Sequence, residues 1–179
     1  MVTAQPALTA YVVRADALTP QEREAVVELG KGDVTVHPIL TRLVWSTPNW
    51  RVMLRRGDEI VSGLMLVERE IRVGDRRVKV AGVGDVGTLP QWRRRGYAGL
   101  VLERAAAFMR AELDADFGHL FCVSSLVPYY GRFGWLRVEG PAHIQAPWGP
   151  AIFPEETMVL PLRGTTWPPG EMDLKGLPW

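Results

Sequence analysis

Residues 85–99, DVGTLPQWRRRGYAG, join the end of an apolar run to the start of an Ala-rich run. The first run predicts a strand, and the Ala-rich run, residues 97–113, predicts a helix with one solvated face. Gly96 and Ala98 are small enough to let a ligand approach the backbone, and the first amides of the helix are free to donate. With the arginines at 93–95 beside them, these amides predict a cradle for an anion such as a diphosphate. Spacing alone leaves one alternative, an ordinary strand-to-helix connection with solvated arginines.

The rest of the pattern predicts an α+β fold with a mixed, mainly antiparallel sheet flanked by helices on both faces. Three apolar runs separated by Gly-Asp turns predict an antiparallel meander. In the segment 34–50 the pattern is mixed, but several apolar residues are spaced as in a helix. Residues 140–155 are typical of a long loop. We expect one domain over residues 1–179, with an irregular tail at 163–179. The predicted strands are 11–14, 50–54, 60–71, 78–86, 119–123, 135–138 and 157–162, and the further predicted helices are 21–29 and 126–133.

Composition excludes several classes of function. The 179 residues are 47% hydrophobic, which is enough to build a core, and 21 basic residues nearly balance 20 acidic ones. We therefore expect no nucleic-acid partner and no membrane partner. A single cysteine, Cys122, and three scattered histidines predict no metal site and no thiol nucleophile. The first residues lack the pattern of a signal peptide, so we expect a cytoplasmic protein, and we leave a homodimer open.

Two motifs, in this order and spacing, resemble the GCN5-related N-acetyltransferases. The first is Arg93-x-x-Gly96-x-Ala98, preceded on a strand by Val86-x-Thr88, and it resembles the acetyl-coenzyme A pyrophosphate loop of that family. The second is the run Tyr130-Gly-Arg-Phe-Gly-Trp, which is similar to a later family motif. The carboxyl-terminal third is also similar, more weakly, to aminoglycoside 2′-N-acetyltransferases.

The resemblance implies that the chain is a transferase that moves an acetyl group from acetyl-CoA to an amine of a small molecule by direct attack. It implies that Tyr130 is the acid that protonates the departing thiolate, for which a phenol is a plausible donor. The alternative is that Tyr130 only packs its ring in the core and has no catalytic role. The residues that the resemblance assigns to acetyl-CoA are Val86, Gly87, Thr88, Arg93, Arg94, Arg95, Gly96, Tyr97, Ala98 and Gly99.

The proton acceptor is where the sequence departs from the aminoglycoside enzymes. Those enzymes carry a glutamate on the motif strand, and the matching residue here is Gly84, with Asp85 next to it. Neighbouring strand residues point to opposite faces, so Asp85 can act as a catalytic base only if a β-bulge redirects it. A structural role for Asp85, with a water chain as the proton acceptor, is the alternative.

Acidic groups near the end of the chain predict how an amine acceptor is bound. By resemblance, Glu155, Glu156 and the carboxylate of Trp179 contact a cationic substrate, although solvated surface acids would look the same. Trp45, Trp50 and Trp148 are candidate walls of the substrate cleft. The alternative function is a catalytically silent acyl-CoA-binding sensor or assembly module. The absence of a glutamate at Gly84 suggests this alternative.

Overall fold

The structure is a computed structural model that describes residues 6–31 and 37–179. Within those residues the chain forms ten strands and three α-helices, joined by short 3₁₀ turns. The strands are β1 (Leu8–Arg14), β2 (Trp50–Arg56), β3 (Glu59–Val73), β4 (Arg76–Thr88), β5 (Phe117–Cys122), β6 (Leu136–Val138), β7 (Ala142–Ala146), β8 (Gly149–Ile152), β9 (Glu156–Pro161) and β10 (Met172–Asp173). The helices are α1 (Pro20–Leu29), α2 (Tyr97–Glu112) and α3 (Val127–Gly131).

All the described strands join one sheet, in which the long strand β3 is central. The order is β6-β9-β5-β4-β3-β10-β7-β8, and β2 followed by β1 lies along the first half of β3. Only the β4–β5 and β7–β10 pairs are parallel. The meander β2–β3–β4 turns at Gly57 and Gly74, whose positive φ angles of 58° and 56° suit glycine in tight hairpins. The predicted mixed, mainly antiparallel α+β fold is confirmed.

Alternation along the strands divides the core into two faces. The helix face carries Leu64, Leu66 and Leu120 and packs against α2. The tail face carries Met65 and Phe117 on the opposite side of the same strands. It is covered by residues 171–179, the β7–β8 hairpin and the segment 38–46, with α1 over its β2 end. Helices therefore flank both faces, as predicted.

Helix α1 begins where the sequence predicts. Thr19 accepts a hydrogen bond from Glu22 N at 3.2 Å, and the Glu22 carboxylate accepts one from Thr19 N at 2.8 Å, which together form a capping box. Pro20 takes the first helical position, where its missing N–H costs nothing.

Three expectations about loops need correction. Residues 140–155 are not a long loop, because Ala142, Ile144 and Ala146 alternate with polar residues to form β7, which pairs with β8. The tail at 163–179 is not wholly irregular, since it contains β10 and its last residue is buried. In the segment 34–50 the described residues form a 3₁₀ turn over Pro38–Arg42, and positions 34–36 lie outside the described residues.

Candidate active site

The sheet opens into a gap where β4 and β5 separate. The two strands pair in parallel only from Val80 with Phe117 to Val83 with Leu120. Beyond that point β4 continues to Thr88 alongside β3, so its edge over residues 84–88 loses its β5 partner. An unpaired strand edge offers backbone donors and acceptors to an extended ligand. The predicted contacts Val86, Gly87 and Thr88 lie on this edge.

A β-bulge redirects Asp85 at the gap. Met65 pairs with Gly84 and Gly63 pairs with Gly87, so β4 has one more residue than β3 between these pairs, and the φ of Asp85 is 51°. The Asp85 carboxylate accepts a hydrogen bond from Arg51 Nη1 at 3.0 Å. The Arg51 side chain is 12% exposed and the Asp85 side chain is 49% exposed. About half of the Asp85 side chain therefore remains open to solvent. The bulge that a catalytic Asp85 requires is present, and the catalytic role stays a prediction.

Gly84 and Gly82 are glycines because Trp179 lies directly on them. A Cβ on Gly84 would lie 2.6 Å from Met65 Cε and 2.9 Å from the backbone carbon of Trp179. A Cβ on Gly82 would lie 2.1 Å from Trp179 Cε2. The position at which the aminoglycoside enzymes carry glutamate is therefore filled by the tail, and packing alone accounts for the glycine.

The start of α2 presents an open set of backbone donors. Arg94 and Gly96 have positive φ angles of 60° and 79°, and Gly96 caps the helix without any side-chain hydrogen bond. The amides of residues 94–99 donate to no backbone group in the described chain, and Leu100 N is the first to do so, to Gly96 O at 3.3 Å. A Cβ on Gly96 would meet nothing within 4 Å, so space is open above it. Free amides at a helix start favour a bound anion.

The arginines of the cradle have different roles. Arg93 Nε donates to Thr88 O at 3.2 Å and so ties the turn to the end of β4. The Arg95 guanidinium lies 4.9 Å from the Trp92 ring centroid, and Arg56 lies 4.4 Å from the same ring. The side chains of Arg94 and Arg95 are exposed beside the open amides, as a site for a diphosphate requires.

Two predicted cradle residues, Tyr97 and Gly99, are buried and pack within the fold. The ring of Tyr97 is buried in the helix-face core, 6.2 Å from that of Trp92. Gly99 is buried too, and a Cβ there would lie 2.9 Å from Phe133 Cζ. Only their amides face the cradle as donors, while the neighbouring Ala98 is half-buried.

Tyr130 lies on the helix face, the side of the gap where α2 begins. Its buried ring packs edge-on against Tyr129 and Trp135, with centroid distances of 5.3 and 6.3 Å. Its hydroxyl makes no hydrogen bond within the described chain, which leaves it available to a ligand. Burial, with smaller contributions from Cys122 and Tyr129, raises the pKa of Tyr130 well above its usual value of 10. The phenol is therefore protonated at neutral pH.

Cys122 is the buried thiol next to this site. Burial, then the nearby Glu156 and Glu155 carboxylates, raise the pKa of Cys122 to about 11. A thiol with a raised pKa is mostly protonated at neutral pH, where it is a poor nucleophile.

The predicted acceptor-binding carboxylates do not converge on the gap's tail face. Glu156 accepts hydrogen bonds from Arg137 Nε at 2.7 Å and Ser124 Oγ at 3.0 Å, and it points to the helix face with Met158. Half-buried Glu155 lies close enough to Cys122 to raise its pKa. Trp179, by contrast, does lie on the tail face, at Gly82 and Gly84. A substrate-binding role for these three residues stays a prediction.

Two of the tryptophan candidates lie on the tail-face side and one does not. Trp50 packs edge-on against Phe108 of α2 at 5.0 Å, on the helix face, so it cannot wall a cleft on the tail face. Trp45 packs edge-on against Phe153, and Trp148 lies under Arg42 at the turn of the β7–β8 hairpin.

Arg51 and Phe121 border the gap, Phe153 stacks on Phe121, and none of the three was among the predicted site residues. Arg51 lies within the predicted strand 50–54, where no local signal marks it. The signal for Phe121 was present, because alternation within β5 sends it to the face opposite Leu120 and Cys122.

The described residues contain neither a metal-binding cluster nor a membrane-spanning helix. No three His, Cys, Asp or Glu side chains among them are grouped so as to hold a metal ion. No helix in residues 6–31 and 37–179 is long and apolar enough to cross a membrane.

Comparison with known proteins agrees with the geometry of the gap. The family model of the acetyltransferase (GNAT) domain matches residues 33–138, more than half of the chain. The chain belongs to the GCN5-related N-acetyltransferase family. No curated protein sequence matches the chain closely enough to count as a relative.

Solved structures share the fold at low sequence identity. An acyl-CoA N-acyltransferase from Pseudomonas aeruginosa is 20% identical, with a TM-score of 0.58 over 86% of this chain and 99% of its own. Escherichia coli ElaA is 13% identical, with a TM-score of 0.58 over the same shares of the two chains. FeeM, an N-acyl amino acid synthase from uncultured soil microbes, is 12% identical, with a TM-score of 0.59 over 89% of this chain and 94% of its own. These likenesses show that the chain shares the fold of these proteins.

Proposed function

We propose that this chain transfers an acetyl group from acetyl-CoA to an amine of a small molecule. The observation that carries the proposal is the gap between β4 and β5. It lies between a helix start with open amides and an unengaged tyrosine hydroxyl on one face, and a redirected carboxylate on the other.

The residues present fit acetyl-CoA. The amides of residues 94–99 and the exposed side chains of Arg94 and Arg95 would hold its diphosphate, and the open space above Gly96 would admit it. The unpaired edge of β4 at Val86–Thr88 would hydrogen-bond the extended arm. Acetyl-CoA supplies an activated thioester, and the chain's own residues supply position and proton transfer.

Each proposed catalytic residue has one task. Asp85, whose side chain is 49% exposed beside Arg51, would accept the amine's proton directly or through water as the C–N bond forms. Tyr130 passes its proton to the sulfur as the C–S bond breaks, so that coenzyme A leaves as the thiol. Because burial raises the pKa of Tyr130 above that of a thiol near 8.5, this transfer is uphill, and it is completed when water carries the proton that Asp85 took from the amine back to the phenolate.

Calorimetry with acetyl-CoA tests the cradle. Wild type should bind, and Gly96→Val should bind at least tenfold more weakly, because the new side chain fills the open space and disfavours the φ of 79°. Gly131→Ala is the matched control, since its Cβ would also meet nothing within 4 Å but lies outside the cradle. No binding of acetyl-CoA at millimolar concentration would contradict the proposal.

A catalytically silent acyl-CoA-binding module is the second candidate. Two observations favour it: Gly84 offers no carboxylate beneath Trp179, and Asp85 is engaged by Arg51. Release of free thiol in the presence of amines separates the two functions. Turnover above the rate of hydrolysis with any amine rejects the silent module, whereas tight acetyl-CoA binding without turnover rejects the transferase.

A further inference from the structure

The gap has a closed end where β4 and β5 come together. Val83 of β4 and Leu120 of β5 are their last paired residues. From Val83 to Thr88 the free edge of β4 extends about 17 Å at the usual rise of a strand. A ligand that starts at α2 and follows this edge from Thr88 therefore points its far end at the Val83–Leu120 pair. We call that pair, together with the Gly82–His119 pair behind it, the closed end of the gap.

The indole of Trp179 bridges the two strands at the closed end, on the tail face. The ring lies on β4, where a Cβ on Gly82 would be 2.1 Å from its Cε2 atom. Its Nε1 donates a hydrogen bond to His119 O of β5 at 3.3 Å. The whole residue is buried. An indole ring therefore covers the tail side of the point at which the strands separate.

Hydrogen bonds to the preceding residues hold the Trp179 ring in place. Arg69 Nη1 donates to Leu177 O at 2.6 Å, and the Arg69 guanidinium lies 5.2 Å from the centroid of the indole. Ser46 donates its amide to Pro178 O at 2.7 Å and its hydroxyl to Leu177 O at 2.8 Å. Because the chain just before Trp179 is fixed in this way, the ring does not swing aside when a ligand enters the gap.

Buried side chains also fill the helix side of the closed end. Val83, Leu120 and Cys122 belong to the helix-face core, and so does Tyr130, whose ring packs against Trp135. Protein interiors are close-packed, so each added methylene group must displace a neighbour. An acyl group longer than acetyl would therefore meet packed side chains on both faces of the sheet.

We propose that the Trp179 ring limits the acyl donor to acetyl-CoA, because it fills the space that a longer acyl chain would need. This inference rests on the proposed function, since it concerns the acyl group that enters the same gap. Trp179 acts as a specificity-determining residue that contacts the end of the acyl group and takes no part in bond formation. Without the ring, the tail face between Gly82 and His119 has room for the additional carbons.

Acyl-CoA chain length tests this role directly. In calorimetry, wild type should bind butyryl-CoA at least tenfold more weakly than acetyl-CoA, because one extra methylene group in a closed apolar site changes affinity by about tenfold or more. Trp179→Ala should bring the two dissociation constants within threefold of each other. Thiol release with an amine that supports turnover should show the same change in the ratio of the two kcat/KM values.

Trp167→Ala is the matched control. Trp167 packs against the same tail-face core, but it contacts Phe117 at 5.0 Å, and Phe117 pairs with Val80 at the other end of the β4–β5 pairing. Its removal takes away an indole without opening the closed end, so the preference for acetyl-CoA should stay within twofold of wild type. Trp179→Leu keeps more of the buried volume and should give an intermediate preference, and it takes the place of Trp179→Ala if the alanine protein does not fold.

The results separate this inference from the proposed function. Equal binding of both acyl-CoAs by wild type, an unchanged preference in the Trp179 variants, or the same shift in Trp167→Ala would overturn the role of Trp179 and leave acetyl transfer intact. Failure of wild type to bind acetyl-CoA would overturn the proposed function, and this inference with it. Because calorimetry needs no amine, the chain-length result decides the role of Trp179 before any acceptor is identified.

Discussion

Gly82 lies under the indole of Trp179, and even a methyl group placed there would collide with it. A Cβ on Gly82 would lie 2.1 Å from Cε2, 2.3 Å from Cδ2 and 2.5 Å from Nε1 of that ring, well inside van der Waals contact. The ring has little room to shift, because His119 packs edge-on against it at 5.0 Å and the Arg69 guanidinium lies 5.2 Å away. Overpacking costs typically 1–3 kcal/mol and emptying a buried aromatic site costs 3–5, so Gly82→Ala should destabilise the fold by about 3 kcal/mol.

A double-mutant cycle in urea, followed by circular dichroism, measures this cost. In a Trp179→Ala background the ring is absent, so adding Gly82→Ala should cost less than about 0.5 kcal/mol more. Gly131→Ala serves as the control for a glycine whose added Cβ meets open space. A Gly82→Ala protein as stable as wild type, or full additivity of the two changes, would refute the placement of the tail.

Three further changes have defined outcomes. Tyr130→Phe should lower kcat tenfold to a thousandfold with little change in acetyl-CoA affinity, and by the same factor at pH 7 and pH 9, because its raised pKa keeps the phenol protonated at both; an unchanged rate would leave Tyr130 a packing residue. Burial lowers the pKa of His119 to about 3, so below about pH 6.5 only the unfolded imidazole gains a proton and the fold loses stability. His119→Leu should therefore shrink the loss of unfolding free energy between pH 7 and pH 5 by roughly 2 kcal/mol, and urea titrations with the same pH dependence as wild type would contradict this. Thr19→Ala removes the Thr19 side of the capping box and should lower the free energy of unfolding by about 1 kcal/mol, whereas a change under 0.3 kcal/mol in the same titration would show that the box is dispensable.

Local features were predictable from sequence. The strand, arginine-rich turn and helix at 85–99 follow from apolar runs and from glycine at a position that needs a positive φ. The meander followed from Gly-Asp turns between apolar runs. These elements depend on residues close in the chain, so the order of residue types is sufficient to predict them.

Features that depend on distant contacts were not predictable in the same way. Gly84 looked like a lost catalytic carboxylate, and only the position of Trp179 shows why no side chain fits there. The rings of Trp45 and Phe121 both pack on Phe153, although the three residues come from separate segments that no local pattern connects. The strand β7 was missed because Gly and Pro around it predict a loop, although the alternation of apolar and polar residues within it is typical of a strand.

The short strand β10 has a consequence for how the molecule folds. It joins β3 to β7 through two residue pairs on each side, and Met172 pairs with Val73 about a hundred positions earlier. Contacts between such distant residues form slowly, because a long loop must close before they contribute any stability. The meander and α2, built from near neighbours, are expected to form first, and the β7–β8 hairpin to dock when β10 arrives. In hydrogen exchange measured during folding, the amides of β3 and β4 should become protected before those of β7. The last part of the sheet to become rigid is then also the part that covers the tail face.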